Sequence, residues 1–458
     1  MVKKDSKRIK KLKYGARERS IKEGIFASAK SSFGDYYISP FAIAINASNS
    51  MVALLSAISG LLGPLSQIFG SKFIEKYPRK KIMTKTIFFE SLIWIPLIVM
   101  SFLFYKGIFL NFLPISILIL FSLYVILHNL SFPSWFSWMG DIVDKEHRGR
   151  WFSKRNLIIG FVLLVLTVLS AFFLDYFEKN NWLMFGFMIL FSLAFFSRFT
   201  SMKIFRKIYE PKIKLEKEDY FSFWDFLINA KKSNFGRFSI FRGLLSFSIL
   251  TSSSLITVYL LRYLEFNYII YITIILSQTL FAIVVLELWG KFADTYGNYK
   301  ILYTTTILIP IVPILWILFK SPIYLIFVPA LVSGISWAGF NLAANNFIYD
   351  NINQKKRGFA ISYYNMFNGI GIFLGAVLGA FLIKFIKAPF EPILLIFFIS
   401  SLASMIVVFF WIKEIKEIRK TEKFKGSKTI EKMLFGEAKP IILEEIHEIM
   451  SIKKYFIK

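Results

Sequence analysis

Three ionisable side chains, Asp35, Glu90 and His128, lie inside long apolar runs of the chain. A carboxyl group held near neutrality by burial can release and retake a proton, and imidazole does so without such help. At the centre of a membrane helix a charge costs about 2.5–3.5 kcal/mol on insertion scales, so such residues should face a partner or a wet cavity. Asp35 falls about eleven residues into its apolar run and Glu90 about eight into another, too deep to reach the interface easily. Asn129 adjoins His128, and Asn341 and Asn345 supply amides in a later run. Lys30 precedes Asp35 by five residues, about 140° round a regular helix, which predicts that the two are poor direct partners. The chain has no Cys and three His. No metal-ligand spacing, Ser/His/Asp set, paired carboxylates or Gly-x4-Gly-Lys-Ser/Thr loop is found, so no cofactor, metal, enzymatic activity or nucleotide-driven step is expected.

The elements that must hold these residues follow from composition. Of 458 residues, 56% are hydrophobic and 53 are Phe, read as mostly lipid-facing filler, yet the formal charge is +27. The two properties are segregated. Residues 1–22 form a polar basic tail with no signal-peptide pattern. Twelve apolar segments follow, at about 24–46, 51–74, 82–105, 112–140, 155–174, 182–204, 238–262, 267–290, 299–319, 322–350, 358–384 and 390–412. Each can cross roughly 30 Å of hydrocarbon, and lipid leaves them no option but helix. The fold class expected is an all-α polytopic membrane protein of twelve transmembrane helices. Of the 56 Lys and Arg, 48 fall on the side of the termini and six on the other, with Lys30 and Arg242 inside spans. That asymmetry predicts both termini in the cytoplasm, with the basic face against anionic lipid; the location expected is the plasma membrane. The asymmetry also accounts for the charge without nucleic acid.

The halves repeat. Asp141, Arg148, Gly149, Ser153, Asn156 and Gly160 recur 209 residues later as Asp350, Arg357, Gly358, Ser362, Asn365 and Gly369. A second motif, Ser71 to Pro78 with Glu75, recurs 219 residues later as Gly290 to Gly297 with Asp294. With Arg79, Lys80 and Lys81 following the first copy, the pattern resembles the signature of the major facilitator superfamily of secondary transporters. The first copy departs from it, with Ser71 and Pro78 where Gly is usual and Glu75 for Asp. The resemblance covers about residues 20–415. It implies two pseudo-symmetric six-helix bundles, here 23–204 and 238–415, joined by a cytoplasmic linker at 205–237 and followed by a tail at 416–458. It further implies that spans 1, 4, 7 and 10 surround a central cavity, and these spans carry Asp35, His128, Asn129, Asn341 and Asn345.

The expected activity is secondary active transport of a small solute by alternating access, coupled to protons through Asp35, Glu90 and His128, by a monomer. A lipid or amphiphile translocator of the same fold, or a transporter-like sensor, are the alternatives. Few fixed charges in the cavity favour a neutral, cationic or amphipathic solute. Glu75, Arg79, Asp141, Arg148, Asp294, Asp350 and Arg357 are expected to form a cytoplasmic gate, in which carboxylates meet helix amino termini and arginines. Arg242 and Glu287 read as structural. Gly371, Gly375 and Gly379 predict a close helix contact along span 11. Aromatics from Tyr220 to Leu227 and apolar residues from Ile442 to Phe456 predict two amphipathic helices, on the membrane or beneath the bundles.

Overall fold

The computed structural model describes residues 2–143, 148–211, 223–352, 357–386 and 391–417. Apart from short turns and connections the described residues are helical, with no strand among them. Eleven helices are long and apolar enough to cross a membrane: Asn49–Ile74, Arg79–Tyr105, Leu113–Ile142, Arg155–Lys179, Leu183–Phe205, Asn234–Tyr263, Tyr268–Leu286, Asn298–Leu318, Pro322–Ile348, Ala360–Phe385 and Pro392–Glu414. They are spans 2 to 12 of the twelve expected.

Span 1 is different because it is broken. A helix runs from Val2 to Phe33, a 3-10 turn covers Asp35–Tyr37, and helix resumes over Ile38–Ala44. At the break, a Cβ on Gly34 would overlap the indole of Trp94, so only glycine lets span 3 seat this ring against span 1. Other helix ends follow simple capping. Ser48 accepts from the Met51 amide at 3.2 Å and Ser233 from the Gly236 amide at 3.0 Å, each meeting an amide that the first turn leaves unpaired.

The contacts divide the chain into two compact units, Met1–Glu216 with Thr257–Ile272, and Lys217–Ile256 with Thr273–Lys458. In the first, Phe41 of span 1 packs on Phe187 and Phe191 of span 6 at 5.1 and 5.0 Å, and Trp94 lies 5.8 Å from Phe191. Phe41, Phe187, Phe191 and Phe205 are fully buried here, as are Phe238 and Phe241 in the second unit. Phe is thus not filler alone, although many Phe face outward as expected. Offset and edge-to-face ring packing makes Phe core material as well, while Phe409 and Phe410 remain exposed.

The 257–272 segment is bound into the first unit by polar contacts. The Asp175 carboxylate accepts the amides of Tyr268 at 2.7 Å and Ile269 at 3.3 Å, capping the start of span 8. Arg262 donates to the Ala47 carbonyl at 2.9 Å and to the Asn49 side chain.

In the second unit, Gly371, Gly375 and Gly379 of span 11 face the backbone carbonyls of Gly243, Phe247 and Thr251 of span 7, with no room for a Cβ at any of the three. Ser246 adds a 2.6 Å bond to Asn368. Ser252 and Ser400 bond at 2.8 Å, and Ser400 donates to the Ser248 carbonyl at 2.6 Å, joining spans 7 and 12 by small polar residues. The linker helix Phe223–Asn229 docks into this unit through Phe226, whose ring lies 5.6, 5.5 and 5.8 Å from those of Phe235, Tyr363 and Phe367. Of the two settings expected for that amphipathic stretch, docking under the helices holds for Phe226. The tail's Ile442–Phe456 stretch lies outside the described residues. Replacing Gly375 by Val should force spans 7 and 11 apart and cost about 1–3 kcal/mol, seen as a lower melting temperature of the purified protein, whereas Val at the open Gly160 should leave it unchanged.

Candidate functional site

The break in span 1 positions the site. With the helix interrupted at Gly34, Asp35 no longer sits at the azimuth a regular helix would give it. Its Oδ2 lies 2.9 Å from Lys30 Nζ and accepts Ser31 Oγ at 2.6 Å. The expectation that Lys30 and Asp35 are poor partners is corrected: the 3-10 turn and the long lysine arm bring them together.

Lys30, 1% exposed, also donates to the Tyr124 hydroxyl at 2.9 Å and stands 3.3 Å from Glu90 Oε1. Tyr124 in turn donates to Asp35 Oδ1 at 2.6 Å. Glu90, wholly buried on span 3, takes Arg198 Nη2 of span 6 on Oε2 at 2.5 Å. His128 of span 4 places Nδ1 3.2 Å from Glu90 Oε1, stacks on Tyr124 with ring centroids 5.6 Å apart, and remains 47% exposed. Asp35 and Glu90 thus share one ammonium, a carboxylate pairing that the sequence had not suggested.

The cluster continues towards the terminal side of the unit. Glu23 accepts Ser201 Oγ at 2.8 Å, with Arg198 Nη1 at 3.8 Å and Arg155 Nη2 at 3.6 Å. The Arg155 guanidinium lies 4.8 Å from the Trp135 ring centroid. Three cations, Lys30, Arg155 and Arg198, therefore interleave with Glu23, Asp35 and Glu90. Buried charge persists in apolar surroundings only when compensated in this way. A cavity of about 270 Å³ opens onto the cluster, lined by Lys30, Ser31, His128, Trp135, Arg155 and Arg198 among others.

Sequence reasoning found Asp35, Glu90 and His128 and missed Glu23, Tyr124, Arg155 and Arg198. Arg198 lies inside the sixth expected span, on the helix Leu183–Phe205, and is 6% exposed. Its signal was its position inside an apolar run. The expectation of few fixed charges is corrected by the six charged residues gathered here. Asn129 turns elsewhere. It donates to the Val125 carbonyl at 2.9 Å and accepts Gln67 Nε2 at 3.0 Å, so it bonds span 4 to span 2. Asn341 and Asn345 are exposed on span 10, one turn apart, in the second unit.

In the expected gate, Arg79 is buried and bonds Asp141 Oδ2 at 2.7 Å, Ser137 Oγ at 3.0 Å and the Pro211 carbonyl at 3.2 Å, with Glu210 at 3.7 Å. In the second unit Asn298, 219 residues after Arg79, donates to Asp350 Oδ2 at 2.8 Å. The two repeat motifs therefore meet in each half, as an ion pair in one and an amide–carboxylate bond in the other. The side chains of Glu75, Asp294, Arg148 and Arg357 lie outside the described residues. Arg242, which read as structural, lies with its guanidinium 4.9 and 5.0 Å from the ring centroids of Trp337 and Phe340.

Comparison with known proteins accords with this architecture. The chain is similar to a bacterial homologue of the iron transporter ferroportin in its inward-facing state, with 15% identity and a TM-score of 0.66 over 88% of this chain and 99% of that one. It is similar to a POT family transporter in complex with a thioalcohol-conjugated peptide, at 16% identity and 0.62 over 87% and 97%. It is also similar to the nucleoside transporter NupG, at 13% and 0.61 over 88% and 99%. At these identities the likeness is one of fold. No curated protein matches by sequence. The family profile described as Major Facilitator Superfamily matches residues 25–287 and 239–446, and with its helical spans and internally repeated motifs the chain belongs to that superfamily of membrane transporters.

Proposed function

We propose that this protein is a secondary active transporter that carries a small solute by alternating access, coupled to protons through the cluster around Glu90. The observation behind this reading is the half-exposed His128 imidazole, which borders the cavity and touches Glu90 while Glu90 is engaged by Lys30 and Arg198. A proton arriving on His128 adds a positive charge beside Glu90 and competes with Lys30 for the same carboxylate oxygen. Lys30 also holds Asp35, next to the break in span 1, so protonation is transmitted to the most easily bent part of that span. The 48-to-6 asymmetry of Lys and Arg supports cytoplasmic termini, and the plasma membrane is the location proposed. The six-helix halves comprise 23–204 and 238–415, with a linker at 205–237 and flanking tails. Arg79, Asp141 and Asp350, with Glu75, Arg148, Asp294 and Arg357, brace the cytoplasmic side.

The contacts that hold 257–272 in the first unit are proposed as a latch within that unit, on the side away from the termini. Asp175 caps span 8 on the side away from the termini, and Arg262 grips the turn between spans 1 and 2. Breaking either favours opening there.

Two measurements test the reading. In proteoliposomes, an imposed proton gradient should drive accumulation of solutes from a library. Asp35→Asn should reduce that accumulation by about tenfold or more while the protein remains folded. Unchanged accumulation and pH dependence would remove Asp35 from the mechanism. Because the chain has no Cys, Ala27→Cys places a single thiol at the cavity wall. Adding Asp175→Ala should raise its labelling by an impermeant thiol reagent from the side opposite the termini severalfold. Equal labelling would argue against Asp175 as part of a closure. Glu90→Leu leaves Lys30 and Arg198 without their shared carboxylate and should cost about 3–5 kcal/mol in stability, read as a large drop in melting temperature.

A further inference from the structure

Within the cluster, Arg155 is the cation whose guanidinium makes no hydrogen bond among the described residues; Arg198 also leaves its Nε unpartnered, but its Nη atoms are engaged. Lys30 directs its ammonium to Asp35 and Tyr124 with Glu90 close by, and Arg198 binds Glu90 and Ser201. The approach of Arg155 to Glu23, at 3.6 Å, is an ion pair beyond hydrogen-bond length. Its Nε is buried without a partner, and the side chain is nine-tenths buried. Buried donors are almost always satisfied, and the exceptions call for a reason. Here the guanidinium lies against Trp135 and borders the cavity of about 270 Å³. A Cβ on Gly24 would crowd Arg155 Nη2 and Ile159, so glycine at that position keeps the space the guanidinium occupies.

From this geometry we infer that the cavity binds the carboxylate of a small organic monoanion, with Arg155 as its anchor and Trp135 as the apolar wall. The inference rests on the transporter reading and deepens it. A guanidinium fork matches a carboxylate in two parallel hydrogen bonds, and its flat face stacks on an aromatic ring at the same time. The cavity lies just below the usual range of about 300–1,000 Å³ for ligand pockets, which suits a small acid. Charge selects the monoanion. Glu23, Asp35 and Glu90 offset Lys30, Arg155 and Arg198, so the cluster is neutral while His128 is neutral. One bound carboxylate makes it −1, and one proton on His128 restores neutrality. His128 faces Glu90, Lys30, Asp35, Arg198 and Tyr124, so that proton is shared with the whole cluster. Anion and proton should therefore bind together, one of each.

The test is equilibrium binding to the purified full-length protein by thermal stabilisation and calorimetry. The probes are acetate and benzoate, benzamide as the uncharged counterpart of benzoate, and inorganic phosphate. Benzoate should stabilise and benzamide should not. Arg155→Gln should weaken benzoate about tenfold or more, and Arg155→Lys, which keeps the charge but loses the fork, by a smaller factor. Benzoate binding should take up one proton in wild type and none in His128→Asn. If Arg155→Gln does not fold, the benzoate–benzamide comparison in wild type and the Arg155→Lys affinity decide. Equal stabilisation by benzamide, binding of phosphate alone, no binding of either carboxylate, or unchanged affinity in Arg155→Lys would each overturn the site. No gradient enters these measurements. Gradient-driven uptake of an uncharged solute without carboxylate binding would remove the anion site and leave the transporter; carboxylate binding without any gradient-driven flux would do the reverse.

Discussion

Lys30 is the charge on which the first unit's interior depends. An ammonium with 1% exposure has given up its water, and only several close oxygens can compensate for that loss. They come from three directions: Asp35 beyond the break in span 1, Tyr124 on span 4 and Glu90 on span 3. Each partner needs its own second contact. Asp35 uses Ser31 and Tyr124, and Glu90 uses Arg198 and His128. The chain of obligations reaches Glu23, Ser201 and Arg155, so four further spans are registered against span 1 by charge as well as by packing. The break at Gly34 belongs to this constraint. A straight helix would turn Asp35 away from Lys30, while the turn that brings it back also leaves the space that Trp94 fills.

The second half meets a related problem with different chemistry. Arg242 stands 212 residues after Lys30, within the range of the two repeat offsets, but counterparts of its partners are missing. At the offset of 219 that relates Arg79 to Asn298, Glu90 corresponds to Ile309; at 209, His128 corresponds to Trp337. The cation is retained and the carboxylates are replaced by ring faces, Trp337 and Phe340. Cation–π contact offsets part of the desolvation without creating a proton site. The repeat therefore preserved helices and end motifs, while among the described residues the charged network around Glu90 lies in the first half. That asymmetry is a reason to place coupling in the first half.

Much of the fold was legible because lipid imposes simple rules on sequence. Twelve runs of apolar residues, basic residues on one side, and Gly371, Gly375 and Gly379 at four-residue spacing each have a single physical reading. The site was legible only where charge stood deep in an apolar run, as at Asp35, Glu90 and His128. Arg155 and Glu23 lie at span ends, where charge ordinarily reports topology, and nothing in a linear sequence separates a topological arginine from one turned inward; Arg198, several residues inside its expected span, is the one that position could have flagged. The Lys30–Asp35 pair was hidden for another reason. Helical periodicity presumes an unbroken helix, and the 3-10 turn between Asp35 and Tyr37 changes the azimuth of everything after Gly34. Asn129 shows the converse error: adjacent to His128 in sequence, it points a hundred degrees away round the helix and bonds Gln67.

Neutral totals and exposed edges together explain how such a network can be both stable and responsive. A cluster with unbalanced charge would hold a counterion or unfold locally, and a balanced one closed to water would never titrate. Here the six fixed charges cancel, and His128, which borders them, is left half open. Glu90 beneath it is sealed, so a proton on the imidazole is sensed by ion pairs that water does not screen. In the proposed coupling, the energy of that event is delivered to Lys30, and through Lys30 to the interrupted span. Packing elsewhere in the unit, with Phe41, Phe187 and Phe191 interlocked, resists the same displacement. A change of one charge thus acts on the break at Gly34, the place in span 1 where helix geometry has already been given up.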